Sequence, residues 1–125
     1  MSDKKKILIV EDEPELRMGL RMRLEANGYE VTTAWDGQVA LDKARKEKPD
    51  LIILDLMLPK IEGYKVCRML KFDKKYKMIP IVMLTARVQE DDRKVGMEVG
   101  ADAYVTKPYE PEKLLTTIQE ILSAK

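Results

Sequence analysis

The chain predicts an α/β fold, a five-stranded parallel sheet wound with helices on both faces. Three observations lead there. Short apolar runs alternate with longer stretches of helical period, the pattern of repeated βαβ units. The runs Ile7 to Val10 and Leu51 to Leu54 are apolar at every position, as strands covered on both faces are. Polar residues close four runs: Glu11-Asp12, Asp55, Thr85 and Lys107. In one parallel sheet these converge at the carboxyl edge, where open α/β sheets bind ligands.

The elements follow in order. A strand is expected near Lys6 to Val10, then a helix in which Pro14 suits the first turn, Leu16, Leu20 and Leu24 recur every four residues, and Gly28 offers a stop. A second strand falls near Glu30 to Ala34 and a third near Leu51 to Leu54, each followed by a helix. Leu56 to Gly63 and Asp73 to Pro80 read as the longest irregular stretches. A fourth strand, Ile81 to Leu84, precedes a helix at about Gln89 to Val99, whose thin apolar stripe and Gly96, costing ~1 kcal/mol, make it the element expected to move. After a fifth strand, Ala103 to Thr106, Pro111 opens a last helix with Leu114, Ile118, Ile121 and Leu122 on one face. Glu112, Lys113, Thr116, Thr117 and Gln119 form its polar face. The methionines in the first and third helices read as core filler. The simplest winding, 2-1-3-4-5, is a flavodoxin-like doubly wound (βα)5 sandwich, which brings Asp12 beside Asp55.

At 125 residues and 45% hydrophobic the chain fits one domain, residues 1–125 with a core from about 5 to 122, and no output domain is expected. With 23 Lys plus Arg against 22 Asp plus Glu, the net charge of +1 gives no pull toward nucleic acid or an anionic membrane. No apolar stretch approaches the ~20 residues of a membrane span, and Met1-Ser2-Asp3-Lys4 opens without a secretory apolar region. A cytoplasmic location is expected. Cys67 is the only cysteine and histidine is absent, which argues against zinc chemistry and Ser-His catalysis. Oxygen ligands and a lysine suit a hard cation such as Mg²⁺. No glycine-rich phosphate loop occurs.

Singly, the candidate residues have ordinary readings. Asp55 could be a turn residue, Glu11 and Asp12 acids favoured before a helix, Thr85 a cap and Lys107 a solvated lysine. Together, three carboxylates in one crevice repel one another unless a cation is present, which points to a metal site. Pro108 stiffens the turn after Lys107 and could aim its ammonium across the edge. Lys71, Lys74, Lys75 and Lys77 with Phe72 and Tyr76 resemble a nucleic-acid patch, but at this net charge a solvated helix end and loop is the favoured reading.

From about Lys5 to Leu122 the chain resembles the receiver domain of two-component response regulators. The resemblance rests on Ile-Leu-Ile-Val-Glu-Asp-Glu-Pro at 7–14, Pro-Asp-Leu-Ile-Ile-Leu-Asp-Leu-Met-Leu-Pro at 49–59, Leu-Thr-Ala-Arg at 84–87 and Gly-Ala-Asp-Ala-Tyr-Val-Thr-Lys-Pro-Tyr at 100–109. It implies that Asp55 accepts a phosphoryl group from a phosphohistidine of a sensor kinase or phosphotransfer protein. By the same resemblance Asp12, Asp55 and the main-chain carbonyl of Met57 ligate Mg²⁺, with Glu11 holding the ion through water, and Lys107 contacts the phosphoryl group. Thr85 and the Ala86 N–H would sense the product while Tyr104 turns inward, changing the surface of the fourth helix, fifth strand and fifth helix for a downstream protein. Met57 and Arg87, flanking the path of a hydrolytic water, are expected to prolong the phosphorylated state. Such a protein is a phosphoacceptor that assists its own transfer and slow dephosphorylation, and is no enzyme in the ordinary sense.

A finer resemblance is to receivers that precede winged-helix DNA-binding domains. The chain departs from them at Ala103, Thr117, Gln119 and Ser123, where that subclass carries the charges of its dimer interface. The expectation is a monomer or a phosphorylation-dependent dimer, with no direct nucleic-acid or membrane contact. The family's kinase-docking surface would include Leu16, Arg17 and Pro108. A receiver-fold interaction module working without phosphorylation, and a receiver fragment of a larger transcription factor or hybrid kinase, are the alternatives. A dehalogenase-type phosphatase would need Asp-x-Asp-x-Thr, and the chain reads Asp55-Leu56-Met57-Leu58-Pro59.

Overall fold

Five strands, β1 (Lys6–Val10), β2 (Glu30–Ala34), β3 (Leu51–Asp55), β4 (Ile81–Thr85) and β5 (Ala103–Thr106), form one sheet in the order β2-β1-β3-β4-β5. All neighbours are parallel, with Ile7 opposite both Val31 and Leu51, Leu54 opposite Met83 and Leu84 opposite Val105. The computed structural model describes residues 4–55, 63–85, 100–107 and 109–124, the side chains of Tyr64 and Thr85 aside. The helix expected at about Gln89 to Val99 and the stretch from Leu56 lie outside the described residues. The winding is the one expected. β3 and β4 run one residue further than anticipated, because Asp55 stays in register with Leu84, and Thr85 with Thr106.

Among the described residues four helices cover the sheet: α1 (Pro14–Ala26), α2 (Gly37–Glu47), α3 (Gly63–Lys71) and α4 (Pro111–Ser123, the last of the helices expected from sequence). Alternate strand residues face opposite layers. Ile7, Ile9, Leu51, Ile53, Val82 and Leu84 join Leu20 and Leu24 of α1 and Leu114 and Ile118 of α4 in one core. Leu8, Val10, Ile52, Leu54, Ile81 and Met83 join Leu41 and Ala44 of α2 and Val66, Cys67 and Leu70 of α3 in the other. Both faces are thus buried, which is why the runs are apolar throughout. Each fully buried Leu or Ile contributes about 1.5–3 kcal/mol.

Local chemistry sets the helix ends. Pro14 and Pro111 stand in the first turns of α1 and α4. Gly28, at φ 91, makes the turn after α1 in a conformation that disfavours any side chain. The buried Asp36 carboxylate caps α2 by accepting from the Val39 N–H at 2.9 Å.

Two expectations fail. Met18 and Met22 of α1 and Met69 of α3 are exposed, as is Leu16 at 43%, so of the α1 stripe only Leu20 and Leu24 are core. Lys71 is not a solvated lysine. Its Nζ donates to the carbonyls of Lys77 (3.2 Å) and Ile79 (2.8 Å) and to Asp102 Oδ2 (2.7 Å), which also accepts from the Ile81 N–H at 2.8 Å. One ammonium therefore ties the end of α3 to the turns that lead into β4 and β5. This clip stands at the amino edge of the sheet. Four cations and the single acid Asp73 fall between positions 71 and 77 there. None of the described helices is long and apolar enough to cross a membrane.

Candidate functional site

The carboxyl edge gathers residues from three strands. The Glu11 N–H donates to the Ala34 carbonyl at 3.0 Å, carrying the β1–β2 ladder one step past β1 and leaving the Glu11 side chain buried. Glu11 Oε2 accepts weakly from the Glu13 N–H at 3.3 Å. Asp12, next along, is exposed. Asp55 closes β3, a central strand covered on both sides, and is 4% exposed. Lys107 follows β5 and reaches back, its Nζ 2.8 Å from Glu11 Oε1 and 2.8 Å from Asp55 Oδ2.

Glu11, Asp12 and Asp55 each offer a carboxylate oxygen, and these oxygens lie within 4.8 Å of one another. Opposed ligands of an octahedral Mg²⁺ stand about 4.2 Å apart, twice a metal–oxygen distance of 2.1 Å. The all-oxygen donor set and this spacing fit a hard divalent cation. With all three carboxylates ionised, Lys107 offsets only one of their charges.

The electrostatics register that excess. Burial, then the hydrogen bond with Asp55, pushes the Glu11 carboxyl up to about 7 against the pull of Lys107. Burial works against the Lys107 charge, but the hydrogen bonds to Asp55 and Glu11 prevail and hold its ammonium above the usual lysine range. A site that raises a carboxyl and an ammonium together is short of positive charge.

The expected residues are therefore brought together where they can be seen: Glu11, Asp12, Asp55 and Lys107 share one crevice. Thr85 ends β4 beside Thr106, and its side chain lies outside the described residues, as do Met57, Ala86, Arg87 and Pro108. Tyr104 is half-buried in β5 and packs against the core beneath α2 and α3. Sequence reading placed Arg17 on the docking surface that the resemblance implies and did not foresee that its Nη1 donates to the main-chain carbonyls of Glu11 at 2.8 Å and Asp12 at 3.4 Å. It also passed over Trp35, 53% exposed, which directly follows β2 at the same edge.

Residues 7–119 match the family described as the response regulator receiver domain. The alkaline phosphatase synthesis transcriptional regulatory protein PhoP of Bacillus subtilis is 50% identical over 118 residues, 94% of this chain and 48% of PhoP. The chain spans about half the length of the curated relatives it matches. Among solved structures, a CheY-like response regulator receiver domain protein from Methanospirillum hungatei superposes with a TM-score of 0.91 at 31% identity, over 98% of this chain and 96% of that one. The chemotaxis protein CheY4 of Vibrio cholerae superposes with a TM-score of 0.89 at 37% identity, over 94% and 98%. The strand order, the acids after β1 and at the end of β3, and the lysine after β5 agree with a match that runs almost end to end: the chain belongs to the response regulator receiver domain family.

Proposed function

We propose that this receiver domain takes a phosphoryl group on Asp55 from a phosphohistidine of a sensor histidine kinase or phosphotransfer protein. The observation that carries the reading is Lys107 Nζ at 2.8 Å from both Asp55 and Glu11, with Asp12 completing an acidic crevice at the carboxyl edge. An Asp55 carboxylate oxygen forms the new O–P bond as the P–N bond to the donor breaks, and the imidazole leaves with the electron pair. Phosphoryl transfer is mostly positioning and charge neutralisation. Burial at the strand end fixes Asp55, and Lys107 supplies a charge-assisted contact to the incoming oxygens. Glu11, Asp12 and Asp55, with the Met57 carbonyl that the family resemblance adds, would hold Mg²⁺. When bound, that ion offsets the repulsion between the carboxylate and the anionic phosphoryl group.

The same reading gives the Thr85 hydroxyl and Ala86 N–H the product's oxygens, makes Tyr104 the residue that turns inward, and assigns Met57 and Arg87 to slowing hydrolysis. Contacts that exist only in the phosphorylated state shift the population toward a surface that a downstream protein recognises. Incubation with Mg²⁺ and acetyl phosphate, followed by intact mass measurement, tests the assignment. Wild type gains one phosphoryl group, while Asp55→Asn and EDTA-treated protein gain none. No gain in wild type under any condition overturns the reading in favour of an interaction module that works unphosphorylated.

A further inference from the structure

Arg17 occupies a place that its sequence position in α1 does not announce. Its side chain is half-buried, and its Nη1 donates to the Glu11 carbonyl at 2.8 Å and the Asp12 carbonyl at 3.4 Å. Its own N–H donates to the Glu13 carbonyl at 2.9 Å, the first hydrogen bond of the helix. One residue thus gathers three consecutive main-chain carbonyls, those of the segment that joins β1 to α1. Two of them belong to residues whose carboxylates form the acidic crevice.

We propose that Arg17 is a positioning residue for the acidic crevice: it fixes the peptide planes of Glu11 and Asp12, and through them the carboxylates that receive the divalent cation. The inference rests on the cation-binding reading of that crevice. Fixing a peptide plane fixes the direction in which the adjoining side chain leaves the backbone, because only φ and ψ are soft. Asp12 gains most from this. It is exposed, so packing does not hold its backbone as it holds that of Glu11. A guanidinium suits the task, since Nη1 carries two N–H groups, one for each carbonyl, and holds them in a fixed plane at the end of a reach longer than a lysine's. Residues that orient metal ligands from behind change metal affinity about 10–100-fold when removed. Arg17 also stands on the helix face expected to dock a kinase, and the two roles make opposite forecasts. A docking residue affects transfer from the kinase and leaves cation binding and the small-molecule reaction alone.

The experiment compares wild type, Arg17→Met and Arg17→Lys by Mg²⁺ titration in a calorimeter and by phosphorylation rate with acetyl phosphate across a Mg²⁺ series. No kinase is present. Arg17→Met is expected to weaken Mg²⁺ binding about tenfold and to slow phosphorylation at low Mg²⁺, with the rate recovering at saturation. Arg17→Lys falls between the two. Urea midpoints at saturating Mg²⁺ establish that the variants are folded, and a second pair, Met18→Leu and Met22→Leu, controls for changes on the same helix. Wild-type Mg²⁺ affinity in a folded Arg17→Met overturns the inference alone. A wild type that neither binds Mg²⁺ nor takes the phosphoryl group overturns the reading of the crevice and the inference with it.

Discussion

Lys107 and Asp55 meet at 2.8 Å although β4 lies between the strands that carry them. Adjacent strands stand about 4.8 Å apart, so the lysine crosses roughly 10 Å of sheet edge to reach β3, and reaches Glu11 after β1 from the same atom. A single ammonium ties three of the five strands at one edge.

Removing that ammonium leaves two buried carboxylates facing each other. Lys107→Met is expected to destabilise the metal-free protein by about 1–3 kcal/mol, the cost of stranding buried acceptors. Saturating Mg²⁺ should recover part of the loss. Urea denaturation of both proteins with and without Mg²⁺ measures this; equal midpoints in metal-free buffer would refute it.

The pH dependence has a definite sign. The Glu11 carboxyl is raised from 4.5 to about 7 in the folded protein, so between those values the folded state binds the proton more tightly than the unfolded chain. Stability from this group is therefore full below pH 4.5 and is lost as pH rises through about 7. The raised Lys107 value acts in the same direction, but only at alkaline pH above its ordinary value of 10.5. Metal-free wild type should thus lose stability from pH 5 to 7.5 relative to Glu11→Gln, which lacks the titrating group. Parallel pH profiles for the two proteins would contradict it.

Cys67 is fully buried in α3, and burial pushes its thiol up to about 11. At pH 8 the native protein should resist a thiol-specific reagent and react only through opening of the structure. Timed labelling with and without urea tests this, and prompt stoichiometric reaction of the native protein would exclude a closed core at that position.

The Lys71 clip predicts coupling across the amino edge. Asp102→Ala strips a carboxylate from both Lys71 and the Ile81 N–H and should cost about 1.5–3 kcal/mol. Gly100 sits at φ 88, and a Cβ there would stand 3.3 Å from Lys71 Cγ. Gly100→Ala should therefore destabilise wild type more than a Lys71→Ala background, where only the backbone strain remains. Equal penalties in a double-mutant cycle would show that the two residues do not meet.

Much of this was legible because the relevant signals are local. Uniformly apolar runs ending in Asp55 and Thr85 announced the central strands and the edge at which chemistry would gather, and the winding order followed from parallel strands joined by helices. The failure on α1 was a matter of angle. At 100° per residue Met18 and Met22 lie about 160° from Leu20, on the far side of the helix, so counting apolar residues without placing them misread two exposed methionines as core. Lys71 and Arg17 were illegible for another reason. Their partners are mostly main-chain carbonyls, which every residue carries, and the one side-chain partner, Asp102, is 31 positions from Lys71. The Lys107 contacts span 52 and 96 positions and became readable only once the topology was assumed.

The near-zero net charge of the chain conceals a separation of sign along the strand direction. Glu11, Asp12 and Asp55 stand at one edge of the sheet, and the cations between Lys71 and Lys77 cluster toward the other. Among the described residues these two patches form a local dipole, and a charged partner approaching them should experience a torque even where it feels almost no overall attraction. Orientation during encounter, and with it the association rate, should respond to ionic strength over distances of the ~8–10 Å Debye length, in a protein whose formal charge alone would suggest indifference to salt.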